Sequence, residues 1–262
     1  MSEHYDEQYE DIEFREIDRT KKVRKKKNYM ARFLILAGAA AAIFLFLASG
    51  IFDVKNIEVT GNRYYSDKEV INLGLVKTGE NIFWDTDIGK IEDNLMKDPY
   101  FAEVKVRRKL PSGISIEVKE RRQTAAVVYG DSYIVIDKDG VVLRKSTVDP
   151  KVSLLTGLTV SRMNVGEKLE AEEKATLATT LNTLDAMTDG DIYFKKIDVS
   201  GIVLRAYIYD TLVVKGTAKQ IQNAIESGNL QKVVNNLLKN DTTRGTIHLG
   251  DHNYMPFSPE FE

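Results

Sequence analysis

The 262-residue chain contains no cysteine, which excludes disulfides, thiolate metal sites and cysteine nucleophiles. Its folded parts must therefore be held by their cores alone. An extracytoplasmic location permits disulfides without requiring them, so their absence leaves the compartment open. Histidine is scarce, at three residues. His4 sits in an acidic head, while His248 and His252 stand four apart, a spacing that converges on a helix. Gly245 and Gly250 favour strand and turn there, where such a pair does not converge, and no third or fourth ligand is evident. H-E-x-x-H, G-x-S-x-G, S-x-x-K and P-loop patterns are all missing. Glu103 and Glu117 alternate with apolar residues and read as the solvent faces of strands rather than as a catalytic pair. Phe83-Trp84 and Tyr100-Phe101 flank a helical segment and read as caps of a small core. No basic–aromatic interleaving points to nucleic acid. The residues imply neither an enzyme nor a cofactor, a metal site or a small-molecule substrate.

Net charge is small as well, at -2, but that average hides three regions. Residues 1–18 carry eight acids and one base, Arg15; Arg19 to Arg32 carry eight bases and no acid. Phe33 to Phe52 then carry no charge. A helix over that run covers roughly 30 Å, the hydrocarbon thickness of a bilayer. A buried core helix and a cleaved signal peptide are the rival readings. The run is longer than a signal-peptide core and follows a long head, which favours an uncleaved anchor. Lys21–Lys27 and Arg32 precede the run, whereas only Asp53 and Lys55 follow it closely. Short basic flanks stay cytoplasmic, so the sequence predicts the N-terminus inside and the C-terminal part outside. The basic run can also attract anionic lipid headgroups. The acidic head has few core-forming residues.

Beyond the apolar run, Val54–Asn62 reads as a strand with Ile57 and Val59 on one face and a turn at Gly61-Asn62. Ser66 and Glu69 have capping-box spacing ahead of a short helix through Val70, Ile71 and Leu73. Asp85 or Thr86 is the expected cap of a second helix carrying Ile88, Ile91 and Leu95, stopped by Asp98-Pro99. Val104 and Val106, then Ile114, Ile116 and Val118, alternate about a Leu110–Gly113 turn and predict a hairpin. Two helices on one face of a three-stranded sheet follow from this β-α-α-β-β order. Farther on, Ile134–Ile136 and Val141–Leu143 flank an Asp137–Gly140 turn. Glu170–Met187 reads as a helix with Leu177, Leu181 and Leu184 on one side. Ile192–Val199, Ile202–Tyr209 and Leu212–Lys215 read as a meander. Ala218–Leu238 is helical with a break offered at Ser227–Asn229, and Thr246–Leu249 is a last short strand.

The segments FDVKNIEVTGNRYYSDKEV, GENIF, KDPYFAEVKVRRKLPSGISIEVKER and YIVIDKDGVVL together resemble the FtsQ/DivIB family of bacterial cell-division proteins. The first three correspond to its membrane-proximal POTRA domain. Arg122-Gln123 stand where the family usually has a proline after its Glu-Arg pair, and Val152-Ser153 replace a Leu-Pro before Leu154–Gly157. The resemblance implies an α+β chain with one N-terminal transmembrane helix, a POTRA-like domain and a mixed or antiparallel sheet domain backed by helices. The expected divisions are a cytoplasmic tail over 1–32, the span over 33–52, POTRA over 53–121, the β-domain over 122–250 and a C-terminal tail over 251–262.

A sheet edge can accept a strand from another chain. The last strand is the candidate edge here; its other reading is a closing strand with a frayed tail. The resemblance implies that this edge receives an FtsB/DivIC-type partner, which on this chain selects Ile247, Leu249, Asp251, Asn253, Tyr254 and Phe257. It also implies an FtsL-like partner, plasma-membrane lipid around the anchor, and a place at the division septum as a non-catalytic scaffold. A POTRA-containing translocation or chaperone component and a membrane-tethered cell-wall enzyme are the alternatives. The first needs a β-barrel or repeated POTRA copies, and the second needs catalytic residues; neither feature is found in the sequence.

Overall fold

The computed structural model describes residues 28–190, 192–250 and 254–259. The acidic head and the Lys21–Lys27 run lie outside the described residues, as do Asp251, His252, Asn253 and Phe261.

Helix α1 (Tyr29–Leu47) is long and apolar enough to cross a membrane, and none of its residues is buried by protein. It starts ahead of the uncharged run, taking in Arg32, and stops before the end of that run, near Ser49-Gly50. Phe52, counted in sequence with the apolar run, instead turns into the following unit and is buried there. That unit begins at Ala48.

The first sheet comprises β1 (Asn56–Thr60), β2 (Phe101–Lys109) and β3 (Gly113–Glu120), in the order β1-β3-β2. Helices α2 (Asp67–Leu73) and α3 (Ile88–Met96) connect β1 to β2, and β1 lies parallel to β3. Helical burial at Val70, Ile91 and Leu95 meets Ile114, Ile116 and Val118 from the sheet. The Ser66–Glu69 capping box forms as expected. The cap of α3, however, is Asp87, whose carboxylate accepts from the Lys90 N–H. Asp85 and Thr86 are spoken for by Asn81: the Asp85 carboxylate accepts from its N–H at 3.1 Å, and the Thr86 hydroxyl donates to its carbonyl at 3.2 Å.

The second sheet has nine strands in the order β14-β13-β12-β11-β10-β7-β4-β5-β6. In chain order these are β4 (Ala125–Tyr129), β5 (Ser132–Ile136), β6 (Val142–Ser146), β7 (Ser153–Thr156), β10 (Lys196–Asp198), β11 (Leu204–Tyr207), β12 (Leu212–Gly216), β13 (Gly245–His248) and β14 (Phe257–Ser258). A separate pair, β8 (Val160–Arg162) and β9 (Glu170–Ala171), precedes α4 (Lys174–Gly190). Glu170 thus belongs to a strand and the helix starts later than its apolar spacing predicts. The long C-terminal helical stretch is two helices, α5 (Ala218–Glu226) and α6 (Asn229–Lys239), broken at Gly228 with φ 69°. The sheet is mixed: β4–β7, β7–β10 and β12–β13 run parallel and the other neighbours antiparallel. Leu177, Leu181 and Leu184 of α4, with Ile221, Ile225, Leu230 and Val234 of α5 and α6, close over Phe194, Leu155, Ile197 and Val214.

The two sheets are joined by a buried ion pair. Arg121, just past β3, donates to the Asp137 carboxylate at 2.7 Å, and the Asp137 side chain is only 3% exposed. The other Asp137 oxygen accepts from the backbone N–H groups of Asp139 and Val141, shaping the β5–β6 turn. Gln123 adds a hydrogen bond to the Tyr100 hydroxyl at 3.0 Å.

Three stability outcomes follow. Gly61 has φ +86°, and a Cβ there would lie 2.0 Å from the Val118 carbonyl oxygen. Gly61→Ala should lose about 1–3 kcal/mol to backbone strain, with the clash added, in chemical denaturation. Asp137→Ala strands Arg121 and two backbone donors, and should cost on the order of 3 kcal/mol. Lys195→Ala, at the exposed pair with Asp210, should leave the denaturation midpoint nearly unchanged.

Candidate functional site

The expected edge, β13, is an interior strand. It lies parallel to β12 on one side, Lys215 opposite His248, and antiparallel to β14 on the other, Ile247 opposite Phe257. After Leu249 the chain turns back: the Gly250 N–H donates to the Tyr254 carbonyl at 2.8 Å and the His248 N–H to that of Pro256 at 2.9 Å. Gly245 admits the return strand, since a Cβ there would meet the Ser258 carbonyl oxygen at 2.4 Å. The residues read as a tail thus supply the terminal strand. A strand of two residues carries no alternation to detect; the only local signal was the pair of glycines flanking β13 and the apolar Tyr254, Met255 and Phe257 beyond.

This arrangement separates the six candidate residues. Ile247 is fully buried and Leu249 is 8% exposed, its side chain lying against Gly216. Both belong to the core. Tyr254, ahead of β14, is 69% exposed, whereas Phe257 on β14 itself is half-buried and packs against the core and Gly245. Asp251 and Asn253 lie outside the described residues. At the opposite end of the sheet, β6 has a neighbouring segment along its start: Val142 bonds to Glu167 and Gly166, and Leu169 bonds to Gly140. The two ends therefore differ in how open they are to another strand.

A second concavity, of about 890 Å³, lies where the two sheets meet and is lined by Tyr64, Tyr100, Lys119, Arg121 and Lys138 among others. Several of its charges are engaged. Lys119 pairs with Glu103 at 2.8 Å, and Glu120 accepts from the backbone N–H groups of Arg63, Tyr64 and Tyr65. Tyr64 stacks on Tyr100 with centroids 4.4 Å apart. Burial, then the neighbouring Tyr64, push the Tyr100 phenol up to about 12. Burial and the hydrogen bond to Asp98 hold the Tyr65 phenol still higher. These are properties of a packed seam with neutral phenols at ordinary pH. Among the described residues no group of three or more His, Cys, Asp or Glu side chains is placed to hold a metal ion. His248 lies on β13, and its sequence companion His252 is outside the described residues.

The placement yields a mutational contrast. Leu249→Lys forfeits about 1.5–3 kcal/mol of side-chain burial and forces a charge toward the core, so the melting temperature should fall. Tyr254→Ala should stay within about 0.5 kcal/mol of the parent chain. Thermal denaturation of the two variants side by side checks both.

Similarity to known proteins agrees with this architecture. The family model for the POTRA domain, FtsQ-type, matches residues 52–121. The cell division protein DivIB of Clostridium acetobutylicum is 32% identical over 177 residues, covering 66% of this chain and 71% of its own length. That of Bacillus subtilis is 25% identical over 239 residues, 89% of this chain and 86% of its own. The cell division protein FtsQ of Syntrophotalea carbinolica is 29% identical over 171 residues, 65% and 59% respectively. With a POTRA domain of this type directly behind one apolar helix, and that extent of likeness, the chain belongs to the FtsQ/DivIB family of cell-division proteins.

Proposed function

We propose that this division protein is a non-catalytic scaffold, which joins FtsL-like and FtsB/DivIC-like partners outside the plasma membrane and links them to septal wall synthesis. Residues 1–32 form its cytoplasmic part, with the bases up to Arg32 holding that side in the cytoplasm. The POTRA-like domain over 53–121 and the β-domain over 122–250 stand on the outer face. The observation that carries the reading is the end of the nine-stranded sheet, where among the described residues β14 has a strand on one side only, with Tyr254 exposed just ahead of it and Phe257 on it. A partner strand laid along β14 gains main-chain hydrogen bonds, and its alternate side chains meet these two rings. Pro259 follows at once and cannot donate, so it limits how far such pairing extends. Residues 254–259 then act as part of the docking edge, and Ile247 and Leu249 support that edge from within the core.

Photo-reactive residues placed at Tyr254 and Phe257 in the full-length chain test this in dividing cells. The expected product is a covalent adduct with a small coiled-coil division protein. Correctly inserted and folded protein that yields no adduct at either position would rule out β14 as the docking edge.

A further inference from the structure

Three exposed apolar side chains stand on segments gathered at one end of the first sheet, where the chain enters it. Ile51 is 53% exposed, Trp84 55% and Leu110 61%. They come from three separate segments that backbone hydrogen bonds tie together. Ile82 N–H donates to the Phe52 carbonyl at 2.9 Å, and Val54 N–H to that of Glu80 at 2.9 Å, which join the entry segment to the loop carrying Trp84. Lys55 and Asn56 N–H groups donate to the Ser112 carbonyl, which joins the entry segment to the hairpin tip carrying Leu110. Arg108 closes the ring, its guanidinium donating to the carbonyls of Ile82 and Thr86 at 2.6 and 2.9 Å. Phe52 and Phe83 pack below, ring centroids 5.3 Å apart, so the rim has an aromatic floor. The far end of this sheet holds Gly61, Glu120 and Arg121 and is taken up by the junction.

We infer that this rim sits in the headgroup–acyl boundary of the bilayer, with Trp84, Leu110 and Ile51 inserted as a shallow anchor. The inference rests on the reading of α1 as a membrane span. If α1 spans, Ile51 follows Leu47 by four residues and lies within about 14 Å of the helix end even at full extension. The rim is thus tethered at the depth where indole rings concentrate. Charge does not select the contact. The same segments carry Lys55 and Lys109 together with Asp53, Asp85 and Glu58, and Lys109 is already paired with Glu58. Insertion is accordingly driven by apolar area and persists at high salt, where a purely electrostatic contact weakens.

Trp84 is the one tryptophan of the chain, so its fluorescence reports this rim alone. The full-length protein is reconstituted in vesicles of phosphatidylcholine with or without phosphatidylglycerol, using lipids brominated at defined acyl positions. Trp84 should emit at a shorter wavelength than a water-exposed indole and lose most of its emission to shallow bromines, at low and high salt alike. Leu110→Asp should restore part of that emission. The W84F/A40W double variant moves the single indole to the middle of the span, where deep bromines should quench it. A quenched indole in that variant, together with unquenched, water-like Trp84 in the parent chain, overturns the rim anchor while the span stands. Blue-shifted but unquenched Trp84 means that protein, such as a second copy of this chain, covers the rim, which also overturns it. An unquenched indole in the double variant removes the span itself and the inference with it.

Discussion

The Asp137 carboxylate is the constraint on which the extramembrane unit turns. One oxygen orders the β5–β6 turn through two backbone donors, and the other grips Arg121 at the exit of the first sheet. Desolvating a carboxylate and a guanidinium costs several kcal/mol, recovered only when geometry and remaining hydrogen bonds are complete. Here they are nearly complete, and the pair works as a positional lock as much as a source of stability. It ties the exit of the first sheet to the β5–β6 turn of the second, with the Tyr64–Tyr100 stack and the Gln123–Tyr100 hydrogen bond alongside. A chain without cysteine has no disulfide to reinforce that junction.

Local signals were readable in the sequence, and long-range ones were not. Ser66 and Glu69 form their box because both partners lie within one turn. The α3 cap was misassigned among three adjacent residues because Asn81, several positions upstream, engages Asp85 and Thr86 first. Strand β4 left no alternation to read: Ala125, Ala126 and Val127 are all fully buried, because β5 and β7 flank a strand covered on both faces. Ile202 was counted into a strand for its apolarity, yet it stands 88% exposed at the loop before β11.

The candidate edge shows the same limit. Apolar Ile247 and Leu249 suit a strand, and the family resemblance pointed to this end of the domain. Whether such a strand is outermost depends on what later residues do, and Phe257-Ser258 are too few to announce a strand.

The sheet also has a mechanical consequence. Its strands fall into two sequence-contiguous groups, β4 to β7 and β10 to β14, which meet only at β7–β10, where Leu154, Leu155 and Thr156 face Lys196, Ile197 and Asp198. Force applied between β14 and β4 passes across this short parallel seam, and the helices packed behind it share the load.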